Sequence, residues 1–224
     1  ALSLPPPSLA AAVEGSAVDC YFGCGCFWHV QHDLSVAEAS ALPRSPLQLT
    51  ARAAYAGGEG LGKGGAVCYH NLAGVADYGK LGHAEVVSFE ALPPRAFASV
   101  AEAFFGLFDA GGDRPDQLGD RGGEYRSLVG LPGGASSPLY ASLVAANEAA
   151  GSRVSLRPGK GGDGDARGAV YVYDSELFPA HRAENYHQFH DGFARGEDYP
   201  ASYNNIKNLL AAEGRLPETD CPFV

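Results

Sequence analysis

The chain has 224 residues, 46% of them hydrophobic and 19% charged, and carries a formal net charge of −10. That length allows one domain or two with a substantial buried core, and the acidic balance disfavours nucleic acid or an anionic membrane surface as partner. No apolar run approaches the ~18 residues of a membrane span. The five cysteines, with no targeting segment in view, point to redox or catalytic thiols in a reducing compartment, cytoplasm or organelle stroma, rather than to a disulfide scaffold. Methionine is absent even at the start, so a processed N-terminus is expected.

In chain order, residues 1–18 read as an N-terminal arm containing Pro5, Pro6 and Pro7. The stretch Asp19–Leu34, DCYFGCGCFWHVQHDL, opens with the alternation of a short strand over Cys20–Phe22 and turns on Gly23 and Gly25. From Cys26 the apolar Phe27, Val30 and Leu34 follow the helical period, and the helix runs to about residue 39, ahead of Pro43 and Pro46. Leu47–Tyr55 alternates as a strand. Residues 57–65, GGEGLGKGG, touch the spacing of phosphate-binding loops, but Gly64 stands where Ser or Thr must bind magnesium and no helix follows. A plain mobile loop is the better reading.

Ala84–Phe89 reads as a strand and Pro94–Phe108 as an amphipathic helix. A polar loop over 109–123 leads to a strand near Arg126–Leu131 and a helix over Pro138–Ala150. Val154–Leu156 and Ala169–Tyr173 resemble a hairpin. Leu177–Ala194 contains a predicted helix, and Ser202–Glu213 another. Interleaved helices and strands without β-α-β regularity predict an α+β two-layer sandwich, with a catalytic unit over 19–200 and a C-terminal helix and tail over 201–224.

Chemistry concentrates at the elbow. Cys26 at the first turn of a helix faces outward-pointing N–H groups, which favour a thiolate and lower the thiol pKa. The competing reading is a buried structural cysteine at a tight turn. An activated thiol beside the aromatic Phe27 and Trp28 suits attack on a small apolar substrate group, and a proton donor nearby would assist a leaving atom. Glu85, at the start of an apolar strand, is the best carboxyl, since burial raises its pKa. His29 and His32 share a helix face near Cys26, and His187 and His190 stand at i, i+3, which suggests a His/Cys zinc site. No C-x-x-C pair accompanies them, and no metal is expected.

Gly25-Cys26-Phe27-Trp28 resembles the signature of the type A peptide methionine sulfoxide reductases. Further matches follow in order: Tyr55-Ala56-Gly57-Gly58, Gly82-His83-Ala84-Glu85-Val86-Val87, Gly119-Asp120 through Tyr125-Arg126-Ser127, and Ala183-Glu184-Asn185-Tyr186-His187-Gln188. The resemblance implies a mixed sheet with packed helices on a ferredoxin-like core, and reduction of methionine-S-sulfoxide, free or in proteins. It makes Cys26 the nucleophile and Glu85 the acid, and sets Tyr125 on the sulfoxide oxygen with Asp120 beside it. A second pocket tyrosine is implied; the usual Asn-Pro-Thr-Tyr stretch is absent and Leu72–Tyr78 intervenes, so Tyr69 is the preferred counterpart and Tyr78 the alternative. Phe27 and Trp28 form an apolar seat for the methyl group, and His187 lies near the pocket as a substrate contact.

Oxygen transfer leaves Cys26 as a sulfenic acid, which a second thiol condenses to a disulfide. Cys221, on a proline-flanked tail, is the favoured resolving cysteine and Cys68 the competitor. Cys24 lies too close in sequence to Cys26 for good disulfide geometry, and Cys20 reads as core. The resemblance then implies thioredoxin as reductant, replaceable by dithiothreitol in vitro; no bound cofactor and a monomer are expected. The alternatives are another thiol-dependent redox enzyme such as a peroxidase, or a metal- or nucleotide-binding module.

Overall fold

The structure, a computed structural model, describes residues 16–222, so most of the arm over 1–18 lies outside the described residues. Its centre is one mixed seven-stranded sheet, ordered β5-β6-β4-β1-β3-β2-β7. The strands are β1 (Val18–Gly23), β2 (Arg52–Ala56), β3 (Ala84–Leu92), β4 (Leu128–Leu131), β5 (Ser155–Pro158), β6 (Ala169–Asp174) and β7 (His181–Arg182). β1 runs antiparallel to β3 and β4, and β2 antiparallel to β3 and β7. The β4–β6 and β5–β6 pairs are parallel.

Strand alternation sorts the side chains into two faces. Phe22, Val87, Phe89, Val129, Leu131, Val170 and Val172 face the main core. Over them pack α1 (Phe27–Ala41), α2 (Pro94–Gly106) and α3 (Tyr140–Ala149), through Val30, Leu34, Phe97, Val100, Phe104 and Leu143. Tyr21, Ala54, Val86, Leu128 and Tyr173 point the other way and are covered by Phe178 and Ala180. The predicted α+β architecture, a mixed sheet with packed helices, is what forms. Among the described residues no helix is long and apolar enough to cross a membrane.

Several elements differ from expectation. β2 begins only at Arg52, because Pro46–Gln48 takes a 3-10 turn. The hairpin predicted from Val154–Leu156 and Ala169–Tyr173 is instead a parallel pair. The glycine-rich connection doubles back along β6: Gly159 N–H bonds Val172 O, and Asp163 takes both the Lys160 N–H and the Tyr173 hydroxyl. The helix predicted within Leu177–Ala194 is absent; β7 and a 3-10 turn over Asn185–His187 stand there. The physical reason is Gln188, whose buried side-chain amide accepts from Ala53 N–H at 3.0 Å and donates to Ala53 O at 2.9 Å, standing in for a strand backbone beside β2. The loop over 57–65 is not simply mobile, since Gly57 and Gly58 are buried and Arg126 donates to Gly57 O.

The C-terminal helix is two pieces, α4 (Ala201–Asn204) and α5 (Ile206–Ala212). Tyr203, Ile206, Leu210 and Leu216 join Leu49 and Phe189 in a small core of their own.

Candidate active site

The elbow is built on two glycines. At Gly23 a Cβ would lie 2.3 Å from the Glu85 carbonyl oxygen, so only glycine lets β1 end so close to β3. Gly25 then turns the chain at φ +87°. Cys26 follows as the N-cap of α1, where the first backbone N–H groups have no partner within the helix. Cys26 N–H donates to Gln117 Oε1 at 2.9 Å, and Phe27 N–H to Glu85 Oε2 at 2.9 Å. The next two amides, of Trp28 and His29, act on the Cys26 sulfur and pull its pKa down, although neither makes a conventional side-chain cap bond.

That pull loses. Burial and then the Glu85 charge hold the half-buried Cys26 thiol well above its ordinary pKa, which corrects the expectation of a lowered one. Helix-terminal amides stabilise a thiolate only modestly, whereas desolvation opposes charge strongly. Glu85 is itself buried, and burial lifts its carboxyl to about 8 against the donors Phe27 N–H and Tyr78 O–H. At neutral pH it therefore keeps its proton, and its charge no longer opposes the thiolate.

Both candidate tyrosines reach this centre. The buried Tyr78 donates its hydroxyl to Glu85 Oε1 at 3.2 Å and stacks on Tyr55 at 4.5 Å. Tyr69 stacks on Tyr78 at 5.9 Å and packs, like Cys26, against the Phe27–Trp28–Tyr55–Tyr78 cluster. Burial, then the Glu85 and Cys26 charges, raise its phenol to about 12. Tyr125 closes a 3-10 turn over Gly123–Tyr125, and its carbonyl accepts from Gly25 N–H at 3.0 Å. Its phenol is pushed up by burial and by the Glu85 charge. Asp120 is half-buried, its pKa raised by burial against the pull of Arg114.

The aromatic wall is Phe27, Trp28 and His187, with His187 buried 5.2 Å from Phe27, 5.8 Å from Trp28 and 4.3 Å from Tyr69. Burial drops the His187 pKa to about 3, so the ring is neutral. Trp28 stacks outward on His190 at 4.0 Å and against the exposed Phe193 at 4.7 Å. His29 pairs with Glu197 at 2.9 Å, and His32 stacks on Tyr199 at 3.7 Å. These histidines dock the segment over 190–203 onto α1. The donor clusters among the described residues are elsewhere, Cys68–Glu184–Cys221 and His70–Asp77–Glu124. In the second, carboxylates hold both nitrogens of one imidazole, Asp77 at 3.0 Å and Glu124 at 3.2 Å.

Cys68 and Cys221, the two candidate resolving thiols, are joined to each other in a disulfide, while Cys26 is free. Cys68 is buried and bonded through its backbone to Ala76 and Tyr78. Cys20 and Cys24 are buried, and burial raises the Cys24 thiol to about 12.

Three supporting residues were given no role by the sequence. Arg114, buried, donates to the carbonyls of Tyr125 at 2.6 Å and Asp120 at 2.9 Å and pairs with Asp165 at 2.9 Å. Gln117 takes the Cys26 amide, and Glu184 accepts from the Tyr55 hydroxyl and the Tyr69 amide, both at 2.8 Å. Arg114 and Gln117 sit in an aperiodic polar loop, which carries no signal of their partners. No family model and no curated protein matches the chain. Among solved structures, methionine sulfoxide reductase A of Corynebacterium diphtheriae aligns over 88% of this chain and 91% of that one, at 14% identity and a TM-score of 0.45.

Proposed function

We propose that this chain is a thiol-dependent reductase of methionine-S-sulfoxide, free or within proteins. The observation that carries the reading is the buried Glu85 carboxyl, bonded to Phe27 N–H beside Cys26 and to the Tyr78 hydroxyl, with a pKa near 8. It is an acid that retains its proton at neutral pH next to a reachable sulfur, which is what a sulfoxide oxygen requires to leave.

In this reading the Cys26 sulfur attacks the sulfoxide sulfur while Glu85 protonates the oxygen, and the thiol proton returns to Glu85. The attack makes a sulfur–sulfur bond, which then breaks as the protonated oxygen leaves the substrate sulfur and bonds Cys26, giving the sulfenic acid and the thioether; Cys26 loses two electrons and the substrate gains them. Tyr78, Tyr69 and Tyr125 supply phenols around that oxygen, and Phe27 and Trp28 receive the methyl group. Asp120 shares the pocket rim, and neutral His187 backs its aromatic wall.

Cys221, on the C-terminal tail, then condenses with the sulfenic acid and releases water. The Cys68 thiolate, held in place by its backbone bonds, attacks Cys221, frees Cys26, and leaves the Cys68–Cys221 disulfide. A dithiol reductant of the thioredoxin type reopens that bond by exchange. Chromatography of the S and R epimers incubated separately with protein and dithiothreitol tests the reading. Turnover of S alone, lost in Cys26→Ser, is expected; equal turnover of both epimers, or consumption of hydrogen peroxide instead, refutes it.

A further inference from the structure

We infer that Gln117 is a positioning residue for the Cys26 sulfur: its side-chain carbonyl holds the Cys26 backbone N–H, and so keeps the following amides of α1 aimed at the thiol. The inference rests on reading Cys26 as the nucleophile. The Cys26 N···Gln117 Oε1 distance is 2.9 Å, and Gln117 is buried. The approach is close enough that a Cβ on Gly25 would stand 2.8 Å from Gln117 Oε1 and 2.9 Å from its Cβ and Cγ.

Gln117 is itself held from both sides. Its N–H donates to Arg114 O at 3.1 Å, and its carbonyl accepts from Asp120 N–H at 3.2 Å. Arg114 in turn grips the carbonyls of Asp120 and Tyr125, and the Tyr125 carbonyl takes Gly25 N–H. One loop therefore binds two consecutive amides of the elbow, Gly25 through a main-chain carbonyl and Cys26 through the glutamine. Phe27 N–H is taken by Glu85, so the donors left for the sulfur are Trp28 and His29. Remove the glutamine carbonyl and the Cys26 N–H becomes a part-buried orphan. The elbow then relieves it by rotating, which carries the Trp28 and His29 amides off the sulfur.

The test is the pH–rate profile of iodoacetamide alkylation at Cys26, located by peptide mass, in chains with the Cys68–Cys221 bond intact; Cys20 and Cys24 are buried. Gln117→Ala removes the acceptor and the packing, whereas Gln117→Leu keeps most of the volume and removes only the acceptor. Since the thiol stands well above its ordinary pKa, the readout is the rising limb of the profile: both variants are expected to shift that limb to higher pH and to slow alkylation at pH 8 about fivefold, the factor corresponding to ~1 kcal/mol for one hydrogen bond. A wild-type profile in Gln117→Leu would reduce Gln117 to a space filler and overturn the proposal, as would an unshifted limb in both variants. A Gln117→Leu chain that fails to fold overturns it too, by making the amide a determinant of the fold. Because the readout is alkylation, a failure of sulfoxide turnover leaves this result standing, and an unshifted profile leaves the sulfoxide reading standing.

Discussion

At the residue scale the proposed chemistry turns on one carboxyl proton. Glu85 has a folded pKa near 8 against an ordinary value of 4.5, so kcat/KM is expected to fall as pH rises past about 8 and the acid is lost. In Glu85→Gln, with no proton to give, the remaining slow rate should lack that descending limb; pH-dependent steady-state kinetics reads the difference. The same shift has a stability consequence. A group whose folded pKa is raised stabilises the fold fully below its unfolded pKa, and that contribution is lost as pH rises through the folded value. The melting temperature of wild type relative to Glu85→Gln should therefore decline between pH 4.5 and 8. The burial of Glu85 was legible only through the resemblance of the Gly82–Val87 stretch, because a glutamate at a strand start taken alone reads more readily as a solvated edge residue. The state of Cys26 was not: its helix-terminal position is visible in the pattern, but the burial and the neighbouring carboxyl that raise its pKa belong to the folded chain.

At the scale of elements, the periodic segments α1 and α2 and the strands β1 and β3 stand close to where their patterns place them. Segments held by side chains do not. Gln188 substitutes for a strand, and no periodicity announces a side chain bonded to both backbone groups of Ala53. The parallel β5–β6 pair is likewise set by Asp163 and Gly159, not by strand patterning. The end of α1 shows the same device. Buried Glu38 accepts from the Thr50 N–H at 2.8 Å, the Thr50 hydroxyl at 2.8 Å and the Ala51 N–H at 3.0 Å, and also pairs with Arg44. Glu38→Ala would orphan those amides and leave Arg44 without its carboxylate, with only the Thr50 hydroxyl at 3.2 Å. A loss of ~3 kcal/mol in urea unfolding is expected, with alkylation of Cys26 unchanged near pH 8.

At the scale of the whole molecule, the redox capacity follows from counting thiols. In the proposed cycle Cys26 would hold one two-electron equivalent as sulfenic acid, and the Cys68–Cys221 pair another. The reduced chain, given methionine-S-sulfoxide and no reductant, should therefore release two methionines per chain, and Cys221→Ser one; quenched-flow product counts check this. Cysteine positions were plain in the sequence, but the pairing was not, because a sequence separation of 153 residues gives no local signal. That bond also makes the stretch from Cys68 to Cys221 a covalent ring with Cys26 outside it. Any single tryptic nick inside the ring leaves both fragments attached until the bond is reduced. Electrophoresis of nicked chain without reductant therefore reports how much of the population carries the Cys68–Cys221 bond.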